Sequence, residues 1–258
     1  LFANVGGGLS LWLCGFPFWS MDIGGFIGEP DDPLLIRWLQ AGLFLSHSRI
    51  HGFGKRELYG RGATTDLARD LLHLRYRLLP YLLGQAHRSA AAGVPLARPL
   101  VVDHPDDPTT WHLSDQWLLG DDVLVAPVAT PDGDRRVYLP EGEWVHWFTG
   151  ERHRGPIWLA THSPIEHFPL YQRAASLVPL GPVMPHVGAR PTDLLTLRAG
   201  APAAPSDWHG VARVDGSAVT LATTRRDPAI VVGGLPPGVD VRVVDGAGAA
   251  VDRPIRRT

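Results

Sequence analysis

Four side chains with the chemistry of a binding site lie where two strand-like segments end. Trp19 and Asp22 close a short apolar segment that runs into a glycine-rich loop, and Arg49 and His51 close a second segment. Because a buried carboxylate is costly without a partner, we expect Arg49 to pair with Asp22 through two parallel hydrogen bonds. The neutral imidazole of His51 can donate one hydrogen bond and accept another. The four residues are therefore our candidate ligand-binding residues.

The direction of the Trp19 indole is left open by the sequence. Neighbouring side chains on a strand point to opposite faces, so Phe18 and Trp19 point apart and one of them can line a pocket. Packing in the core is the alternative for both rings, because large aromatic side chains often fill interiors. The nine tryptophans of the chain carry the same two interpretations, stacking on sugar rings or core filling.

Asp121 and Asp122 form an acidic pair directly before the apolar residues 123–128. Adjacent residues on a strand point to opposite faces, so these two carboxylates cannot flank one scissile bond. No further oxygen ligands are spaced around them as a metal site would require. We interpret the pair as part of a structural turn.

The elements around the candidate residues alternate between strand and helix. Asp32 is predicted to cap a helix whose first turn holds Pro33, and a long helix is predicted over residues 65–92, kinked at Pro80 and ended by Gly93. This rhythm is typical of parallel α/β folds. Two such units are too few to close a barrel, which takes about 200 residues or more. We therefore expect Leu1 to be a cut inside a larger protein.

After residue 95 the pattern changes to short strands separated by turn signals. Strands are predicted at residues 123–128, 136–139, 143–147 and 175–180, with turns at 131–133 and 140–142. From about residue 183 the chain is rich in Ala, Gly, Val and Pro, and alternating stretches at 218–223 and 239–244 predict a second β-region. The sequence thus predicts three parts, at residues 1–94, 95–182 and 183–258.

Composition excludes several classes of protein. The 258 residues are 45% hydrophobic and 19% charged, which is typical of a folded globular chain. A net charge of −2 predicts no nucleic-acid partner, and the lack of an apolar run of about 18 residues predicts no membrane span. The single cysteine, Cys14, fits a reducing compartment, and we expect a cytoplasmic location.

Four ordered segments together resemble glycoside hydrolase family 31, and within it the α-xylosidase-like branch. They are GGLSL with GFPFWSMDIGGF at residues 7–26, LSHSRIHG at 45–52, RLLPYL at 77–82, and LLGDDVLVAPV at 118–128. Their order and spacing match the family over roughly residues 1–182. Residues 183–258 carry no such motif, and only their position implies the family's distal β-domain.

The resemblance implies a fold class of α/β plus all-β, the C-terminal end of a (β/α)8 barrel followed by two small β-sandwich domains. Residues 16–22 and 44–51 become barrel strands 7 and 8, and residues 65–92 become the last barrel helix. Active sites of such barrels lie at the C-terminal ends of the strands. The family histidine that matches His51 contacts the sugar. Asp22 and Arg49 then belong to the same pocket, where Asp22 mainly positions the wall or, as the alternative, contacts the sugar directly. Trp19 lines this pocket if its ring does not pack in the core.

The resemblance also implies an oligosaccharide or α-glycoside substrate, retention of configuration, and no metal or cofactor. A retaining glycosidase needs two carboxyl groups about 5–5.5 Å apart. The family takes its nucleophile and its acid/base from barrel strands 4 and 6, and no carboxylate of this chain matches either motif. We therefore expect the chain to be inactive by itself.

Three alternatives stay open from the sequence. Met21 stands where α-xylosidase-like members often carry histidine, and residues 52–63 have lost part of the usual aromatic pattern, so an α-glucosidase preference is the first alternative. The second is a non-catalytic sugar-binding or structural remnant, in which residues 95–258 fold alone and residues 1–94 stay loose. The third is an unrelated α/β-barrel enzyme, which four ordered motifs disfavour.

Overall fold

The structure is a computed structural model. It describes residues 1–190, 194–200, 208–214, 217–223, 230–233, 237–245, 249–251 and 254–258. Helices predominate in the first third of the chain, and strands, most of them in antiparallel pairs, predominate in the described part of the remainder. This mixture of helices and several sheets agrees with the predicted α/β plus all-β class, while the sandwich arrangement of the later strands stays a prediction. No helix in the described ranges has the length and apolarity needed to cross a membrane.

Four helices belong to the N-terminal part: α1 (Phe2–Leu13), α2 (Asp32–Gly42), α3 (Ala63–Arg77) and α4 (Leu79–Ala92). The N-cap of α2 is Asp31, whose side chain accepts a hydrogen bond from the Leu34 N–H, so the prediction of Asp32 was wrong by one residue. The predicted helix over 65–92 is divided at Leu78, because Pro80 lacks an N–H donor and sits in the first turn of α4. Gly93 ends α4 in the left-handed conformation, as predicted.

The parallel strands of the N-terminal part are much shorter than predicted. Strand β1 (Asp22–Ile23) pairs with β2 (Arg49–Ile50), with Asp22 opposite Arg49. The predicted strands at 16–22 and 44–51 were therefore wrong over most of their length. The Ser46 hydroxyl accepts from the Trp19 N–H at 2.6 Å and donates to the Trp19 carbonyl at 2.7 Å. This side chain, together with a backbone hydrogen bond from the His47 N–H to the Trp19 carbonyl at 3.5 Å, joins the two segments before β1 and β2.

A six-stranded antiparallel sheet comes next along the chain, in the order β3-β4-β5-β8-β6-β7. Its strands are β3 (Ala97–Pro99), β4 (Trp117–Leu119), β5 (Val123–Val125), β6 (Asp134–His146), β7 (Arg152–His162) and β8 (Leu170–Arg173). The strands predicted at 136–139 and 143–147 are one continuous strand, β6. The predicted turn at 140–142 is a register shift between Leu139 and Gly142, because a bulge admits extra residues without ending a strand.

The remaining strands form two smaller sheets. One has the order β14-β10-β9 and the other β11-β12-β13-β15. Their bounds are β9 (Leu177–Leu180), β10 (Leu194–Ala199), β11 (Trp208–Val214), β12 (Ser217–Thr223), β13 (Ile230–Gly233), β14 (Asp240–Val244) and β15 (Ile255–Arg257). The strands predicted at 218–223 and 239–244 are thus present. The predicted boundary at 182/183 passes between the paired strands β9 and β10.

One apolar core joins the helices to the six-stranded sheet. The Trp117 indole is fully buried in it and donates a hydrogen bond to the Phe44 carbonyl, 3.0 Å away. Tyr81 of α4 is also buried and donates to the Leu119 carbonyl at 2.8 Å. Leu118 and Leu124 point to the opposite face and belong to a second cluster, so the central strands are buried on both faces. The helical part is therefore packed onto the sheet.

Candidate active-site wall

Asp22 and Arg49 are the first residues of β1 and β2 and meet side by side. They are directly opposite in the parallel register, and the Arg49 Nε donates to Asp22 Oδ1 at 2.6 Å. The predicted ion pair is present, although its contact runs through Nε rather than through the predicted two parallel bonds. The Arg49 side chain is 59% exposed and that of Asp22 is 21% exposed. The pair presents a carboxylate and a guanidinium to solvent at one edge of the molecule.

His51 lies two residues beyond Arg49, and its ring is exposed. Its imidazole packs against Phe26 with the ring centroids 5.5 Å apart, and Phe26 in turn contacts Phe53 edge to face at 5.3 Å. The Phe53 N–H donates to the Phe26 carbonyl at 2.7 Å. The loops that follow β1 and β2 are therefore joined, and they place His51 on the same edge as the ion pair.

Gly52 allows this close approach of the two loops. Its φ is +149°, and a Cβ at this position would lie 2.6 Å from the Gly25 carbonyl oxygen. Only a residue without a side chain fits there. The glycine next to His51 therefore fixes how near the imidazole comes to the β1 loop.

Arg56 is a positioning residue that the sequence analysis missed. Its side chain is buried, with Nε and Nη2 donating to the Gly25 carbonyl at 3.1 and 2.9 Å. Nη2 also donates to the Gly28 carbonyl. A guanidinium offers five donors and satisfies several loop carbonyls that have no ladder partner. The signal available in the sequence was the position of Arg56, shortly after the loop glycine Gly52.

Trp19 points away from this edge and toward the core. Its ring meets that of Trp12 in an edge-to-face contact at 5.7 Å. It also lies directly against Gly8 of α1, where a Cβ would come within 2.2 Å of the indole. The neighbouring Phe18 is 40% exposed and contacts the His47 ring. The structure thus brings Asp22, Arg49 and His51 to one edge and places Trp19 behind it.

Asp121 and Asp122 occupy different environments, which agrees with a structural interpretation. Asp121 bridges Arg98 and Arg88 at 3.1 and 3.0 Å. Asp122 is buried, and desolvation together with the neighbouring Asp121 raises the pKa of its carboxyl to about 7. Within the described ranges, no group of three or more His, Cys, Asp or Glu side chains is arranged to hold a metal ion.

The exposed edge formed by Asp22, Arg49 and His51 combines a carboxylate acceptor, a guanidinium donor and an imidazole that can do either. Such a set suits a ligand with several hydroxyl groups. Enzymes with an α/β barrel bind their substrates at the C-terminal ends of the strands, and His51 directly follows β2. The three side chains therefore offer the donors and acceptors that a polar ligand requires.

Comparison with known proteins supplies the family. The model of the glycosyl hydrolases family 31 TIM-barrel domain matches residues 1–85, and that of the glycosyl hydrolase family 31 C-terminal domain matches residues 93–178. The first match contains β1, β2 and all four candidate residues. The second contains the six-stranded sheet.

Individual relatives agree with these matches. An α-xylosidase of Emericella nidulans is 37% identical over 205 residues, which are 75% of this chain and 26% of that protein. Alpha-glucosidase 2 of Bacillus thermoamyloliquefaciens is 36% identical over 68% of this chain and 23% of its own length.

Comparison with solved structures agrees with these matches. The crystal structure of a GH31 α-xylosidase from Xanthomonas citri superposes with a TM-score of 0.84 at 30% identity, covering 97% of this chain and 31% of that one. This chain therefore spans about a quarter to a third of the length of these relatives. The matched barrel and C-terminal domains, the relatives and the superposed fold agree, and the chain belongs to glycosyl hydrolase family 31.

Proposed function

We propose that this chain is the C-terminal part of a retaining α-glycosidase of the α-xylosidase or α-glucosidase type. The observation that carries the proposal is the Asp22–Arg49 ion pair, 2.6 Å long, between two parallel strands, with His51 directly after the second strand, in a chain of family 31. The substrate is an oligosaccharide or another α-glycoside.

Each candidate residue has a distinct role in this proposal. His51 is exposed and donates or accepts a hydrogen bond to a sugar hydroxyl. Asp22 is a positioning residue whose carboxylate is oriented by Arg49, and the two together form the pocket wall. Trp19 is proposed to support the wall from behind, because its packing on Trp12 and Gly8 fixes the segment that leads into β1.

The chain by itself is proposed to be inactive. Retaining hydrolysis needs a nucleophile and an acid/base about 5–5.5 Å apart. Asp22 is hydrogen-bonded to Arg49 and no carboxylate of the chain matches the catalytic motifs of the family. Residues 1–94 supply the end of the barrel, while residues 95–182 and 183–258 form the two β-domains.

The alternative of a non-catalytic remnant gains no support from the packing. That alternative requires residues 1–94 to be loose while residues 95–258 fold alone. The structure instead has one core that contains Trp12, Phe44 and Tyr81 from the first part and Trp117 and Phe168 from the second.

Hydrolysis of p-nitrophenyl α-xyloside and α-glucoside tests the proposal. The 258-residue chain is compared with a longer polypeptide that completes the barrel. We expect turnover only from the longer protein, with the better substrate deciding between the two specificities. Turnover by the short chain would overturn the proposed absence of catalytic carboxylates, and Asp22→Asn would then be the first variant to measure.

The role of the wall is tested in the longer protein. His51→Ala is expected to raise KM and lower kcat/KM by roughly tenfold or more, because a hydrogen bond to the sugar is lost. His87→Ala on the exposed face of α4 is the matched control. Equal kinetics for the two variants would remove His51 from the pocket.

A further inference from the structure

A cleft of about 380 Å³ opens on the six-stranded sheet, between the β6–β7 hairpin and the segment at residues 163–167. Four of the twelve histidines of the chain line it, and we call it the histidine cleft: His146, His153, His162 and His167. Its lining shares no residue with the Asp22, Arg49 and His51 wall. The volume lies at the lower end of the range of small-molecule sites, roughly 300–1,000 Å³.

One side of the histidine cleft is held by α2. The buried guanidinium of Arg37 donates from Nη2 to the Ser163 carbonyl at 2.7 Å and from Nη1 to the His167 carbonyl at 2.8 Å. The Gln40 amide donates to the Ile165 carbonyl at 2.6 Å. One buried charged donor and one buried amide donor hold these backbone carbonyls, so the segment that carries His167 is fixed.

The imidazole of His146 is held neutral and in one tautomer. Burial, together with the neighbouring His153 and His167, lowers the pKa of His146 to about 4. Its Nδ1 accepts a hydrogen bond from the Thr149 N–H at 3.2 Å, which places the proton on Nε2. At neutral pH this ring therefore presents an N–H donor rather than a cation.

Other hydrogen-bonding groups of the lining lie around His146. The Tyr171 ring contacts the rings of His146 and His153 at 5.1 and 5.9 Å, and burial raises the pKa of Tyr171 to about 12, so its hydroxyl is neutral. The Nε2 of His153 lies 3.6 Å from Glu151 Oε1, which is the one carboxylate among the lining residues.

A flat surface completes the cleft. The His167 ring is stacked on Phe148, with centroids 4.5 Å apart and planes only 12° apart. Phe148 is partly buried against the main core, so this stack is anchored. A supported imidazole with polar groups beside it provides a planar face next to directional hydrogen bonds.

The chemistry of the lining selects a ligand class. No arginine or lysine is among the lining residues that the structure describes, so a strongly anionic ligand lacks a counter-charge. One carboxylate is too little for Ca²⁺ or Mg²⁺, which prefer several oxygen ligands, and among the described residues no three His, Cys, Asp or Glu side chains are arranged to hold a metal ion. Neutral groups that both donate and accept suit a polyhydroxylated ring. We infer that the histidine cleft is a second carbohydrate site, for one neutral sugar unit, separate from the pocket wall.

Imidazole-detected NMR of the 258-residue chain tests this inference with methyl α-D-glucoside and methyl α-D-xyloside as probes. We expect one or both sugars to shift the ring signals of His146, His153 and His167. The ring signals of His87 on α4 are expected to stay unchanged. Shifts confined to His51 would support the pocket wall and overturn the histidine cleft, so the two proposals fail separately.

Glu151→Gln provides the matched variant, because the side chain is 68% exposed and the amide keeps its shape. Losing a charge-assisted hydrogen bond is expected to weaken sugar binding about tenfold. His153→Ala is expected to act in the same direction, and His87→Ala to leave the affinity unchanged. An unchanged affinity in the Glu151→Gln protein, or unmoved cleft signals at saturating sugar, would overturn the inference.

Discussion

The helical part and the six-stranded sheet are stabilised in different ways. The two parallel strands β1 and β2 are two residues each, whereas β6 and β7 have thirteen and eleven residues and pair along most of their length. In the helical part, side chains of Ser46, Arg56 and Arg75 bond to loop backbone instead. In the helical part, the loops beside β1 and β2 are thus held by side chains, whereas the sheet is held by backbone hydrogen bonds.

The two parts also differ in the apolar surface they expose. Ile27, Phe53 and Tyr59 are 83%, 70% and 76% exposed, and all three lie in the loops that follow β1 or β2. In the sheet, strands β4 and β5 are buried throughout. Exposed apolar patches of this kind mark surfaces that contact other protein or ligand. Under the proposed function, this surface faces the remainder of the barrel.

The largest expected effect comes from the residue that joins the two parts. Trp117→Ala removes a fully buried indole and its bond to Phe44, and we expect a loss of about 3–5 kcal/mol in the free energy of unfolding. Urea denaturation, followed by near-ultraviolet circular dichroism, measures it. Trp158→Ala, at a 40% exposed position, is the control and should cost much less. Equal losses would mean that the two parts do not share one core.

The next largest effect is a pH-dependent change in stability caused by Asp122, which lies between β4 and β5 of the sheet. Because burial raises the pKa of Asp122 to about 7, the folded chain keeps a proton there that the unfolded chain releases above about pH 4. Stability therefore falls as pH rises from about 4 to about 7, and this loss is complete above the folded pKa.

Asp122→Asn removes that titration. We expect the variant to be more stable than the parent at pH 8, by roughly 2–4 kcal/mol, with the difference shrinking toward pH 4. Thermal unfolding across this pH range measures it. Asp121→Asn is the comparison: it breaks the ion pairs with Arg98 and Arg88, which should destabilise the chain, and it also removes a charge that raises the pKa of Asp122, so the loss of stability with rising pH should become smaller. A pH-independent difference for Asp122→Asn would contradict the buried acid.

A smaller and more local effect is expected at Arg56 in the helical part. Arg56→Met keeps much of the apolar stem but removes the donors to Gly25 and Gly28, at a cost of about 1.5–3 kcal/mol. Hydrogen exchange should become faster at the Phe53 amide, which bonds to the Phe26 carbonyl. Arg69→Met, on the exposed face of α3, is the matched control. If exchange at the Phe53 amide is as slow in Arg56→Met as in this control, the loop keeps its shape without Arg56.

The smallest effect on stability is expected at the pocket wall itself. The Asp22–Arg49 pair is partly exposed, and such pairs contribute only about 0.2–1 kcal/mol. A double-mutant cycle of Asp22→Asn and Arg49→Ala in urea measures the coupling. A coupling well above this range would mean that the pair supports the fold rather than the site.

The sequence by itself determined the local features of this chain. Helical periodicity and the Pro80 and Gly93 signals predicted α2 and the α3–α4 pair, because caps and breakers act within one turn. The ordered motifs predicted the family, and the ends of two segments predicted the Asp22–Arg49 pair. The edge strand β7 escaped prediction because most of its side chains are not buried and it contains Gly155 and Pro156, which an edge tolerates.

Tertiary structure decided the rest, since those outcomes depend on partners distant in the sequence. Ser46 bonds to the Trp19 backbone from 27 residues away and so joins the segments before β1 and β2. Gly8 leaves room for the Trp19 ring and so directed it into the core. Because β9 pairs with β10, it belongs to the sheet β14-β10-β9 and not to the six-stranded sheet. Each of these outcomes depends on contacts between segments that are distant in the sequence. The alternation or strand propensity of one segment contains no information about those contacts.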